Sequence, residues 1–146
     1  RMLREQGLAE VIKEEAQKKP LLGICLGMQM LFEKSYEFQE TEGLGLIPGC
    51  VQLIDGGGLK IPHMGWNDLT VLNPCAMTEN MPKGAYVYFV HSYYLKAEEE
   101  EIVTATAEYG TCIHASVEKG QVFGCQFHPE KSSDIGIQIL QNFVEL

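Results

Sequence analysis

Cys25 stands in the segment Leu22-Gly23-Ile24-Cys25-Leu26-Gly27-Met28-Gln29, a G-x-C-x-G spacing between a short apolar run and a helix-like stretch. This is the thiol form of a nucleophile elbow, a tight strand-to-helix turn that holds the nucleophile in a strained conformation at the end of a sheet. Gly23 and Gly27 are expected to remove side chains that would collide with each other or with nearby backbone. At a helix N-terminus the unpaired N–H groups favour a thiolate. The amide of Leu26 is then the natural first donor to an oxyanion. A thiol nucleophile needs a base, and Gln126-Phe127-His128-Pro129-Glu130 supplies one in His128. Pro129 keeps its predecessor extended, and in extended backbone residues i and i+2 share a side, so Glu130 is expected to reach the imidazole and set its tautomer. Nucleophile, base and orienting carboxylate together make a triad of Cys25, His128 and Glu130. Packing alone also accounts for a buried cysteine, and the two flanking glycines favour the elbow.

Other residues admit competing readings. Cys112-x-His114 and Cys125-x-x-His128 raise zinc, but neither spacing recurs in zinc sites, and no metal is expected. His91, in Val90-His91-Ser92-Tyr93, is either a hydrogen-bonded strand histidine or part of a substrate wall. The only Trp falls in Ile61-Pro62-His63-Met64-Gly65-Trp66-Asn67, a glycine- and proline-bearing loop. It is either a plug over the core or a docking face, since Trp and Met are common interface anchors. Gly43-Leu44-Gly45 and Gly56-Gly57-Gly58 match no phosphate-binding fingerprint and read as turns.

The elements that must position these groups follow from periodicity. From Met2 to Ala16 the residues Leu3, Leu8, Val11, Ile12 and Ala16 make one helical stripe, ended by Pro20. Leu21-Leu22-Gly23-Ile24 reads as a strand buried on both faces of a parallel sheet. A second helix carries Leu26, Met30 and Leu31 and fades by Ser35. Glycines and Pro48 punctuate short strands at Val51 to Ile54 and Asp68 to Leu72. Four β-rich runs follow, Tyr86–Leu95, Ile102–Glu108, Cys112–Val117 and Val122–Phe127. Ser133 or Asp134 would cap a final helix carrying Ile135, Ile139, Leu140 and Phe143.

With 146 residues the chain is expected to form one α/β domain spanning 1–146. Twenty acidic residues against eleven Lys and Arg, a net charge of -9, argue against nucleic-acid binding. No apolar run is long enough for a membrane span. Five cysteines without a regular framework fit a reducing, cytoplasmic setting.

The segments Gly-Ile-Cys-Leu-Gly-Met-Gln at 23–29, Tyr-Phe-Val-His-Ser-Tyr at 88–93 and Gln-Phe-His-Pro-Glu-Lys-Ser at 126–132 resemble the class I, triad-type glutamine amidotransferases. Lys60-Ile61-Pro62-His63-Met64-Gly65-Trp66-Asn67 is similar, within that family, to the glutaminase subunits of imidazole glycerol phosphate synthase. The resemblance implies a flavodoxin-like fold, a mostly parallel sheet flanked by helices with added antiparallel strands. It implies that Cys25 attacks the side-chain amide of L-glutamine, with His128 moving protons and no cofactor. Gly27, Gln29, Tyr88, His91, Ser92 and Tyr93 match positions that line the glutamine pocket. A (β/α)8-barrel cyclase is the implied partner in a heterodimer that makes imidazole glycerol phosphate for histidine biosynthesis, with Met64, Trp66 and Lys131 facing it. Complete members also begin with a βα portion, including a glycine-rich loop that supplies the second oxyanion donor. This chain has no such segment, so it is expected to be N-terminally truncated, with a sheet edge or face uncovered. The 146 residues by themselves should self-associate or aggregate through that sheet. Light scattering checks this, and a monodisperse, cooperatively melting monomer is the contrary result.

Overall fold

The computed structural model describes residues 2–36, 40–55 and 58–146. Its helices are α1 (Met2–Glu5), α2 (Leu8–Glu15), α3 (Leu26–Met30) and α4 (Ser133–Val144). Its strands are β1 (Leu21–Ile24), β2 (Phe32–Ser35), β3 (Thr41–Glu42), β4 (Ile47–Leu53), β5 (His63–Asp68), β6 (Thr70–Val71), β7 (Tyr86–His91), β8 (Tyr93–Ala97), β9 (Val103–Glu108), β10 (Cys112–Lys119) and β11 (Val122–Cys125). Short 3-10 turns occupy Ala76–Thr78, Glu100–Ile102 and Pro129–Lys131.

The class is α/β, built on three sheets: β1-β11-β10-β9-β6, β3-β2-β4-β8 and the ribbon β5-β7. Parallel pairing occurs at β1·β11 and β2·β4, and the other described ladders are antiparallel. Parallel pairing is thus concentrated where the elbow needs it, less widely than the sequence suggested. The five-stranded sheet carries a hydrophobic cluster on each face. Phe123, Cys125 and Phe127 join Ile139 of α4 in one cluster, while Val122 joins Met28 of α3 and Ala9 and Ala16 from the α2 region in the other. That division is the period-2 alternation of β11. Register shifts in β10 near Ser116 move Val117 into the second cluster although Ile113 and Ala115 belong to the first.

Several elements differ from the periodicity. The Met2–Ala16 helix is broken, because Gly7 adopts a left-handed φ of 74° between α1 and α2. The helix after Cys25 ends at Met30, and Phe32–Ser35 instead pairs in parallel with β4. Tertiary pairing overrides the helical pattern there. The Tyr86–Leu95 run is two strands, parted at Ser92, in different sheets. Asp68–Leu72 is split between the end of β5 and the short β6, and the Trp66 segment is strand β5 rather than a loop. Of the final helix's four apolar positions, Ile139 is fully buried while Ile135 and Phe143 pack at the margin of the cluster. Ser132 holds its N-cap position and makes no side-chain cap bond. Gly56 and Gly57 lie outside the described residues.

The elbow rests on a notch made of glycine. Gly23 of β1 and Gly124 of β11 are partners in the parallel register. A Cβ on Gly23 would fall 2.7 Å from the backbone of Gly27 and Met28, and one on Gly124 would fall 2.7 Å from Cγ of Met28. Helix α3 can therefore sit directly on the two strands only because both positions lack side chains. Gly27 differs from the sequence expectation: a Cβ there would meet nothing within 4 Å. Gly23→Ala should therefore cost about 1–3 kcal/mol. Gly27→Ala should be neutral or stabilise by about 0.4–1 kcal/mol. Urea denaturation midpoints of the two variants check the contrast.

Candidate active site

Cys25 follows β1 directly and has φ 53° and ψ -108°, outside the regions most non-glycine residues occupy. The turn is held by its own backbone: the Cys25 N–H donates to the Cys125 carbonyl at 2.8 Å, and its carbonyl accepts from Gln29 N–H at 3.1 Å. Leu26 opens α3, so its amide lies in the first turn, where N–H groups have no intrahelical acceptor. With five residues α3 has too short a row of peptide dipoles to carry the thiolate alone. The sulfur instead lies between two specific groups. Cys25 Sγ donates to the Val90 carbonyl at 3.7 Å, and Gln126 Nε2 donates to Cys25 Sγ at 3.6 Å.

β11 runs parallel to β1, so the chain leaves it at the same end of the sheet. His128 follows three residues later, extended at φ -99° and ψ 100°. Its Nδ1 lies 2.6 Å from Glu130 Oε1. The contact does not arise from strand alternation, since Pro129–Lys131 is a 3-10 turn that folds Glu130 back beside the ring. Nδ1 carries the proton towards the carboxylate, which leaves Nε2 as the free base. Ser132, fully buried, clamps this turn to β7. Its Oγ donates to the His128 carbonyl at 2.7 Å and accepts from Tyr88 N–H at 3.0 Å, while His128 N–H donates to the Tyr88 carbonyl at 2.9 Å. Ser132 and Gln126 were present in the sequence motif but were not marked as site residues. The signal for Gln126 was its i, i+2 relation to His128; the role of Ser132 depends on a contact to β7 that no local pattern reveals.

The profile of the class-I glutamine amidotransferase family matches residues 4–146. The imidazole glycerol phosphate synthase subunit HisH of Moorella thermoacetica is 49% identical over 99% of this chain and 69% of its own length. The subunit of the same name from Streptococcus sanguinis is 52% identical over 98% of this chain and 69% of its own. This chain belongs to the class-I glutamine amidotransferases. Among solved structures, a glutamine amidotransferase from Thermotoga maritima superposes with a TM-score of 0.64 at 20% identity, covering 99% of this chain and 54% of that one. Another glutamine amidotransferase gives 0.68 at 20% identity, covering 97% and 71%. At those identities the likeness concerns the fold.

In this amidotransferase a cleft of about 320 Å³ lies beside the elbow, bordered by Leu26, Gln29, Met30, Arg4 and Glu42. Gln29, which the resemblance matches to the glutamine pocket, borders this cleft, whose lining does not include Cys25, His128 or Glu130. Gly27 contributes backbone to the elbow. The Tyr88 ring is edge-on to Trp66 at 5.9 Å. Ser92 accepts Ile54 N–H through its carbonyl, and half-buried Tyr93 offers its carbonyl to Gln29 Nε2 at 3.1 Å. His91 is a buried strand histidine with both ring nitrogens engaged, by His63 Nδ1 at 2.9 Å and by the Tyr93 carbonyl at 2.9 Å. Its ring therefore has the hydrogen bonds of a strand histidine, with both nitrogens committed within the protein. Met64 and Trp66 are 61% and 53% exposed, so the plug over the core is excluded. Lys131 is exposed at the turn that carries Glu130. Cys112 is exposed and His114 Nδ1 accepts from Ala97 N–H. Among the described residues no three His, Cys, Asp or Glu side chains gather as a metal site.

His63 and His91 face each other across β5·β7, and His63 stacks on Phe89 at 4.6 Å and Tyr109 at 4.0 Å. Burial pushes both down to about 4, with the neighbouring imidazole adding to the effect at His63. Each is neutral in the folded chain where the unfolded chain would protonate it near 6.5. Their stability contribution is therefore complete above pH 6.5 and is lost as pH falls towards 4. Denaturation midpoints between those pH values should fall more steeply for the native chain than for His63→Phe, which keeps the stacking and removes one titration.

Proposed function

We propose that this chain hydrolyses L-glutamine to glutamate and ammonia through a thioester on Cys25, as the single glutamine amidotransferase domain of a synthase. The observation that carries this reading is the delivery of the Cys25 elbow and the His128–Glu130 pair to one end of the sheet by the β1·β11 pairing. The Cys25 thiolate attacks the side-chain amide carbon of glutamine, and the oxygen takes up negative charge facing the Leu26 amide. His128, which took the Cys25 thiol proton on Nε2 as the thiolate formed, then gives that proton to the departing nitrogen, and ammonia leaves a glutamyl thioester. Neutral His128 next takes a proton from water, which attacks the thioester carbon and restores the thiolate. Glu130 keeps His128 in the tautomer that both steps need. Support for a substrate beside the elbow comes from Leu26 and Gln29, which follow Cys25 on α3 and border an open cleft. No metal or organic group enters this scheme.

The relatives are named as subunits of imidazole glycerol phosphate synthase, which supports a partner subunit as the acceptor of the ammonia. On that reading the partner is a (β/α)8-barrel cyclase, the setting is the cytoplasm, and the product serves histidine biosynthesis. The exposed Met64 and Trp66 on β5, with Lys131 near the catalytic turn, form the face proposed for docking. No helix among the described residues is long and apolar enough to cross a membrane. Glutamate release from glutamine should be stimulated by the cyclase with its nucleotide substrate and should vanish in Cys25→Ala. Glu130→Gln should lower kcat by about 10²–10⁴, the range that general acid–base catalysis supplies. Release by Cys25→Ala at the native rate would overturn the mechanism.

A further inference from the structure

We propose that Gln126 is a positioning residue that holds the sulfur of Cys25 ready to attack, acting as the donor that receives the ionised thiol. The proposal rests on the amidotransferase reading only in taking Cys25 as the nucleophile. The side chain of Gln126 is completely buried and its Nε2 lies 3.6 Å from Cys25 Sγ.

Which end of that amide faces the sulfur is decided by its neighbours. The Tyr93 carbonyl can only accept, so the group of Gln29 pointing at it, 3.1 Å away, is the amino group. The same Gln29 amino group lies 3.3 Å from Gln126, which must then present its oxygen, leaving its own amino group for Cys25. The Tyr93 carbonyl also accepts from His91 Nδ1 at 2.9 Å, so His91 Nε2 is an acceptor and takes the His63 Nδ1 proton at 2.9 Å. His63 Nε2 in turn accepts from Asn67 Nδ2 at 3.3 Å. Every donor in this chain is committed, and Gln126 cannot turn over without orphaning buried groups.

The sulfur thus has a partner suited to each protonation state. As a thiol it donates to the Val90 carbonyl at 3.7 Å, and as a thiolate it accepts from Gln126. The second bond is charge-assisted and comes from a completely buried amide, so it favours the ionised state. Such a donor supplies what the short α3 cannot.

The test is the pH profile of iodoacetamide alkylation at Cys25, resolved by peptide mapping, with exposed Cys112 as internal reference. Gln126→Met keeps length and apolar bulk but lacks the donor. At pH 7 its Cys25 should react about tenfold more slowly relative to Cys112, with the profile moved to higher pH. Glutamine turnover should lose more in kcat than in KM. Gln29→Met, which removes the group orienting Gln126, should slow alkylation in the same direction by a smaller factor. A folded Gln126→Met with the native profile overturns the proposal. If that variant does not fold, a native profile in Gln29→Met overturns it. Alkylation needs no glutamine, so failure here is separable from failure of the proposed reaction, which glutamate release reports.

Discussion

Parallel pairing of β1 with β11 is the constraint on which the site depends. Cys25 and His128 are far apart in the chain, and each is placed by a local turn at the end of its own strand. Because those strands run the same way in register, with Ile24 opposite Cys125, both turns emerge on one edge. Antiparallel pairing would have sent them to opposite ends. The Cys25 N–H to Cys125 carbonyl bond continues the ladder into the elbow itself, so the strained residue is held by the sheet. Strain of this kind persists only where the surroundings over-determine it. Here the glycine notch under α3 and the first-turn bonds do so.

Next to this site the interior is polar in a controlled way. Gln29, Gln126, His63 and His91 are buried, and each has hydrogen-bond partners that fix its orientation. A buried polar group without a partner is costly, so a chain of such groups tolerates one arrangement. Cys125, equally close to the elbow in sequence register, shows the opposite environment. Complete burial drives its thiol pKa up, so it packs as a small apolar side chain. The two thiols thus differ in surroundings, Cys25 partly exposed beside polar groups and Cys125 enclosed.

The β5·β7 ribbon links the two faces of the problem. Alternation along β5 buries His63 and exposes Met64 and Trp66, so a single strand contributes both to the buried network and to the outer surface. The partner strand β7 carries Tyr88 against Trp66 and passes its carbonyl to His128. The proposed docking face is therefore one strand away from the catalytic turn.

The α/β class and the residues proposed as nucleophile, base and carboxylate were legible in the sequence because each depends on local order. Glycines at 23 and 27 around Cys25, a proline after His128 and apolar runs of strand length are all short-range signals. Sequence spacing likewise placed Met64 and Trp66 together. What it could not resolve were matters settled by distant groups. Phe32–Ser35 became a strand because β4 was there to pair with it, and Gly124 mattered because Met28 lies over it. The ring of His91 is oriented by His63 and the Tyr93 carbonyl, which take up both of its nitrogens. Gln126 gained its place beside the sulfur through Gln29, 97 residues away. Backbone conformation and periodicity are local properties of a chain, whereas the partners of a buried polar atom come from wherever the fold brings a complementary atom. The reactive groups were therefore written in the sequence, and the tertiary structure decided how they are oriented and held.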